Sequence, residues 1–218
     1  MQLTPIIVML GAAAVMVLGI RPVLARLPEP DEGDGKPLYR DLGTTRFVAI
    51  TAVLTALGVA ISWLTLGRDV QPLWWVLAVF GVLLAAIDAR TTWLPLLLTR
   101  FAWLAMALAT LIAAALASDG WLLARSLGGA AAAGGLYLIV WFAARGKFGF
   151  GDVRFAPLIG AATAAHSANL LVWSLLLGSV VGGLLGVYRL LARRPGSFAY
   201  APTMLLGAYA ACVIEWLN

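Results

Sequence analysis

The chain has 218 residues, of which 62% are hydrophobic and only 11% charged, with a formal net charge of +5 at pH 7. Counting glycine and leaving out tyrosine, about 70% of it is apolar, against about 45–50% in soluble domains. A soluble domain of this length cannot hide so much apolar surface, which excludes an ordinary soluble enzyme and makes lipid the expected solvent.

Windows free of Asp, Glu, Lys and Arg predict the membrane spans in chain order. The first, 1–20, has no cation ahead of its apolar run, its first being Arg21, and reads as a retained span rather than a signal peptide. Residues 21–46 hold Arg21, Arg26, Lys36, Arg40 and Arg46 with Glu29, Asp31, Glu32, Asp34 and Asp41 amid Pro and Gly. That stretch is too short and too polar for a core of its own. It is predicted to be a short cytoplasmic loop with no fold, only Arg26, Leu27 and Pro28 packing at the membrane surface.

Spans follow at 47–67, 70–87, 101–118 and 126–144, and the alanine run at 130–133 reads as a close-packed helix. Trp74, Trp75 and Trp121 fall near the outer boundaries, where amphipathic rings sit. The window 155–188, at about 34 residues, is too long for one span of ~20, and His166, Ser167 and Asn169 near its middle predict a turn. Gly178, Gly182 and Gly186 recur every fourth residue, a spacing that lets helices approach closely, here within the chain rather than between copies. A last span at 195–214 carries the single cysteine, Cys212. One cysteine permits neither an intramolecular disulfide nor a paired-cysteine zinc site, and it reads as a small buried hydrophobe.

The result is an all-α polytopic membrane protein of about eight transmembrane helices, one integral-membrane domain over 1–218, without internal repeats. Of the 15 Lys and Arg, all but Arg68 and Arg125 fall in alternate loops. The positive-inside rule places those loops in the cytoplasm and both the N-terminus and the C-terminus outside. Cations scattered between apolar runs make no nucleic-acid surface, so membrane lipids are the expected partner and nucleic acid is not.

Elimination among the ten acids is informative: five lie in the first loop, Asp69 and Asp119 in outer loops, and Glu215 near the C-terminus. Asp88, ending the third helix, and Asp152, opening the sixth, remain, both on the cytoplasmic side. From Asp152 to 165 is about 14 residues, or ~21 Å of a ~30 Å hydrocarbon core, so a short helix draws Asp152 below the lipid surface. An ionisable group there is a functional hypothesis by default. A helix N-cap for Asp152 and a snorkelling boundary acid for Asp88 are the plain alternatives. Two carboxylates facing one cavity can instead share a proton, activate a water and cleave a peptide bond. Helix dipoles suggest Asp152 as the ionised base and Asp88 as the protonated acid. Gly149 and Gly151 allow close approach of a substrate backbone and unusual dihedrals beside Asp152.

At these residues the chain resembles the prepilin peptidase family, membrane aspartyl proteases that remove leader peptides from type IV pilins and pseudopilins. Asp88, Arg90, Leu94, Pro95 and Thr99 fit its first motif. Gly149, Gly151 and Asp152 fit its GxGD motif, with Arg154 where Lys is usual and Gly160 closing the segment. Phe198, Ala199, Tyr200, Ala201 and Pro202 with Gly207 resemble its third signature, Ala201 standing where a glycine is usual. The likeness covers 79–218. It implies hydrolysis of a peptide bond after a leader glycine by Asp88 and Asp152, at the cytoplasmic face of the inner membrane, on a prepilin or pseudopilin substrate. No metal and no organic cofactor is implied. Gly149, Gly151, Arg90, Arg154, Pro95 and Pro202 would bind substrate or support the site. Large members carry paired CxxC motifs after the first helix and also methylate the new N-terminus; this chain has no such cysteines, which points to a peptidase-only or minimal member.

Two other readings compete. Presenilin-type and signal-peptide-peptidase-type proteases share GxGD but have Tyr before the first Asp, where this chain has Ile87. A proton-coupled transporter can also carry two intramembrane acids beside glycine-broken helices, but predicts acids nearer the midplane and internal symmetry. His166, in the outer turn, is a membrane thickness away from both acids. Arg90 and Arg154, each two residues after an aspartate, read equally as site cations or as plain positive-inside charges.

Overall fold

The computed structural model describes residues 3–29, 35–145, 149–193 and 198–218. Asp31, Glu32, Asp34, Lys147 and Arg194, which belong to the predicted loop charges, lie outside them, as does the predicted start of the last span at 195. The described residues form helices and no strand: α1 (Leu3–Leu24), α2 (Thr45–Thr65), α3 (Gln71–Val76), α4 (Val82–Thr91), α5 (Leu96–Ala117), α6 (Trp121–Ala143), α7 (Phe150–His166), α8 (Ala168–Leu191) and α9 (Ala201–Leu217). A π-helical turn, Leu77–Gly81, joins α3 and α4 into one rod, so the described residues make eight rods. Six of these are long and apolar enough to cross a membrane, which makes this a multi-pass membrane protein, and the predicted count of eight is approximate. The other two, α7 and α9, have 17 residues each, or ~25 Å of rise.

Helix ends run past the charge-free windows. Arg100, Arg125 and Arg154 lie inside α5, α6 and α7, because a long charged side chain near a helix end reaches sideways to water without ending the backbone pattern, and Asp152 lies inside α7 with its carboxylate buried. The rod Arg68–Thr91 opens with a 3-10 turn, Arg68–Val70, and passes into α3 at Gln71, whose buried amide donates to Ser62 O at 2.8 Å. Within its π turn the Ala78 carbonyl accepts the Thr55 hydroxyl of α2 at 3.2 Å, so the distortion is tied to a neighbouring helix.

Trp74 corrects the boundary assignment made from sequence. It is fully buried, edge-on to Tyr209 of α9 at 5.5 Å, whereas Trp75 stacks on Trp63 and Trp121 is exposed. Successive helical residues point ~100° apart, so only one of two adjacent tryptophans can face outward.

Two close crossings set the frame. In the α6–α7 pair, a Cβ on Gly160 would meet the Gly129 carbonyl and, at 2.6 Å, Ala133 Cβ. In the α8–α9 pair, a Cβ on Gly207 would lie 2.6 Å from Gly178 Cα and 2.7 Å from Ser174 O. Gly178 and Gly182 therefore pack within the chain, as their spacing predicts. Cys212 is buried and free.

The described part of the loop 21–46 packs on the helices more than its composition suggests. Tyr39–Leu42 forms a short 3-10 turn packed on α1 and α4, and Leu27, Tyr39 and Leu42 are buried in the common core. Glu29 holds it by accepting the backbone N–H groups of Tyr39 at 2.8 Å and Arg40 at 3.1 Å. Three apolar side chains suffice here because the membrane helices supply the rest of the core.

Candidate active site

The end of α4, the start of α7 and the start of α9 meet at one end of the bundle. Asp88 lies in the last turn of α4 and Asp152 in the first turn of α7, and both are buried, at 4% and 7% exposure. The carboxylates are close enough to act on each other electrostatically. Asp88 Oδ2 accepts the Ala201 N–H, 113 residues away in sequence, at 3.1 Å. The same N–H acts on Asp152, and the Tyr200 N–H acts on Asp88. Ala201 is the first residue of α9, whose opening N–H groups have no partner inside the helix and carry the positive end of its dipole. Among the described residues Asp152 Oδ1 has no hydrogen-bond partner.

The Ala201 N–H is a donor that the dipoles of α4 and α7 alone leave out. Asp88 does end α4, but its carboxylate also faces the start of α9, and a buried carboxylate holding N–H donors is the better seat for negative charge.

The glycines have packing reasons. Gly149, at the N-cap of α7, has ordinary dihedrals (φ −66°, ψ 126°), and its missing Cβ would lie 3.0 Å from Asp152 Oδ2. A Cβ on Gly151 would lie 3.0 Å from Leu94 Cβ, so the turn after α4 rests on the start of α7. Pro95 is buried and opens α5, its carbonyl accepting the Thr99 N–H and hydroxyl at 3.0 Å each. Pro202 sits in the first turn of α9, where a missing N–H costs nothing.

The two cations that follow the aspartates in sequence, Arg90 and Arg154, are engaged elsewhere or exposed. Arg90 is exposed, and residues two apart on a helix do not face each other. The Arg154 guanidinium lies 4.7 Å over the Phe150 ring, while the Trp103 indole N–H donates to the Arg154 carbonyl at 2.9 Å. His166 is at the far end, 3.6 Å from Glu215, beside Ser167, whose hydroxyl donates to the same carboxylate at 3.1 Å.

Three neighbours escaped the sequence reading. Tyr137 of α6 is buried, edge-on to Tyr200 at 5.9 Å, and lies within electrostatic reach of Asp152. Gly182 makes room for the Tyr200 ring. Lys36 and Tyr39 come from the first loop, and the charge of Asp88 acts on both. Burial, then Glu29, then Asp88 push the Tyr39 phenol up to about 12. Beside the site, an apolar groove of about 440 Å³ between α2, α4 and α9 is lined by Gly58, Ala85, Ala89, Pro202 and Tyr209 among others. Among the described residues no three His, Cys, Asp or Glu gather as a metal site.

Comparison with known families finds a match to the type IV leader peptidase family over residues 75–187, which include Asp88 and Asp152. No match was found among curated proteins or among solved structures.

Proposed function

We propose that this chain, which belongs to the type IV leader peptidase family, is an aspartic endopeptidase that cuts the leader from type IV prepilins or pilin-like proteins with Asp88 and Asp152. The observation that carries it is that two buried carboxylates from distant parts of the chain come within electrostatic reach of each other at the start of α9, where the Ala201 N–H donates to Asp88. In the mechanism this supports, Asp88 takes a proton from a water as its oxygen attacks the scissile carbonyl carbon. Asp152 gives its proton to the carbonyl oxygen. Collapse of the tetrahedral adduct breaks the C–N bond: the proton held by Asp88 passes to the leaving amine nitrogen, and one adduct hydroxyl returns its proton to Asp152 as the new carbonyl forms, restoring the pair. The pair titrates as a unit, holding one proton between two acids at the start of the cycle.

The arrangement also suits a substrate lying in lipid. The groove past Ala89 and Pro202 offers a membrane-embedded stretch of the substrate a place beside the carboxylates. Its small residues let a helix come close. The alternate-loop cations favour the cytoplasmic face of the inner membrane for this end of the bundle. Gly149, Gly151, Pro95 and Pro202 serve as support, while Arg90 and Arg154 serve the surface. The missing paired cysteines favour peptidase activity without N-methylation.

The test is co-expression with candidate prepilins, followed by mass spectrometry of the product, for wild type, Asp88→Asn and Asp152→Asn. Wild type removes the leader, and each variant, still inserted in the membrane, loses about 10²–10⁴-fold in rate. Variants that cut as fast as wild type would end the dyad assignment. The product mass reads methylation in the same experiment.

A further inference from the structure

Beside the carboxylates, this end of the bundle carries a second tied feature, the strap 35–42. Lys36 Nζ donates to Thr92 Oγ1 at 2.7 Å and lies 4.7 Å from the centroid of the Trp93 ring. Thr92 is where α4 stops: its backbone is left-handed (φ 57°) and its N–H donates to the Asp88 carbonyl at 2.7 Å. The strap therefore reaches the backbone of Asp88 in two steps, Lys36 to Thr92 and Thr92 to Asp88. Glu29 fixes the strap's other end through the Tyr39 and Arg40 N–H groups.

Two effects act together at Lys36. The closing carbonyls of α4 form the negative end of its dipole, where a cation is stabilising. An ammonium held between a hydroxyl and an aromatic face is fixed in place rather than sweeping through solvent. The same charge acts on the Asp88 carboxylate across the turn.

We propose that Lys36 is a positioning residue of the peptidase site. Seated on Thr92 and Trp93, it locks the last turn of α4 and so holds the Asp88 side chain against the Ala201 N–H. This rests on the assignment of Asp88 and Asp152 as the catalytic pair. It gives the first loop a part in the chemistry that its composition alone does not suggest.

The test uses the full chain, purified in detergent, cutting a prepilin, with kcat and KM measured separately for wild type, K36M, K36R, T92V and K36M/T92V. Misplacing a catalytic group costs up to ~10²-fold, so K36M should lower kcat roughly 10–100-fold with KM nearly unchanged. K36R, which keeps the charge, should recover most of that loss. The double variant should be no slower than the slower single one, because both act through one route. Three results would each overturn the proposal: K36M at wild-type kcat, K36R as slow as K36M, or a double variant whose losses multiply. Should K36M fail to fold, T92V carries the test alone, a fall in kcat at constant KM supporting the proposal and wild-type kcat overturning it. A wild type that cuts no prepilin overturns the peptidase assignment itself, a result distinct from all of these.

Discussion

Replacing Gly207 by Ala separates packing from chemistry, because the perturbed atom lies on α9 well away from the carboxylates. The new Cβ would sit 2.6 Å from Gly178 Cα and 2.7 Å from Ser174 O, against ordinary contacts of 3.4–4 Å. Its obstacles are backbone atoms, which cannot swing aside, so α8 and α9 must part by about 1 Å. Overpacking of this kind costs ~1–3 kcal/mol, offset by ~1 kcal/mol from the better helix propensity of Ala, for a net loss of ~0–2 kcal/mol. The effect on rate should be larger. The start of α9 carries the Ala201 N–H that Asp88 accepts at 3.1 Å, and a shift near 1 Å at a catalytic group costs on the order of 10²-fold. The assay is leader cleavage beside thermal unfolding in detergent, with Gly183→Ala on α8 as the control, since a Cβ there meets nothing within 4 Å. Gly183→Ala should keep full rate and gain up to ~1 kcal/mol. Wild-type cleavage by Gly207→Ala, or equal losses in both variants, would refute the claim that the α8–α9 crossing sets the site.

Two further outcomes follow from the same geometry. The Tyr39 phenol, raised from 10.0 to about 12, keeps its proton longer in the folded chain than in the unfolded one. Its contribution to docking the strap is therefore complete below pH 10 and lost as pH rises through 12. Hydrogen exchange at residues 39–42 should accelerate across that window in wild type, and Tyr39→Phe should remove the step; an unchanged step in Tyr39→Phe would rule out Tyr39 as its source. His166→Ala, at the far end beside Glu215, should leave cleavage within about twofold of wild type, since distant sites act independently. A loss comparable to that of Asp152→Asn would place His166 in the chemistry after all.

The rods and both acids were legible in the sequence for a physical reason: lipid tolerates so few charges that those left inside a span stand out. Asp88 and Asp152 emerged by elimination, and the turn at Ser167 by its polarity, with Ser167 capping α8 through Leu170 N–H at 2.9 Å. The strap was not legible. Leu38, Tyr39 and Leu42 sit in a stretch that composition marks as unfolded, and what orders them lies far away in sequence, as in the pairing of Lys36 with Thr92. The Ala201 donor was hidden because a backbone N–H has no residue signature. The one available signal was Pro202, which marks a helix start and so an unpaired N–H just before it. Trp74 was misplaced because depth along a helix can be counted from sequence, whereas rotation about its axis is fixed by packing, here through a π turn anchored on Thr55.

The distribution of polar groups along α7 bears on the transport alternative. A proton path needs ionisable or hydroxyl groups spaced through the span. From Val153 to Ala165 the buried face of α7 is Val, Phe, Ala, Leu, Ile and Gly, and its one buried hydroxyl, Thr163, is turned back onto the Ile159 carbonyl of its own helix at 2.8 Å. The far-end acid, Glu215, is engaged locally with Ser167 and His166. Among the described residues, α7 therefore offers Asp152 no continuous line of ionisable or hydroxyl groups toward the far end. That speaks against a proton path along α7 and is in keeping with membership of the leader peptidase family.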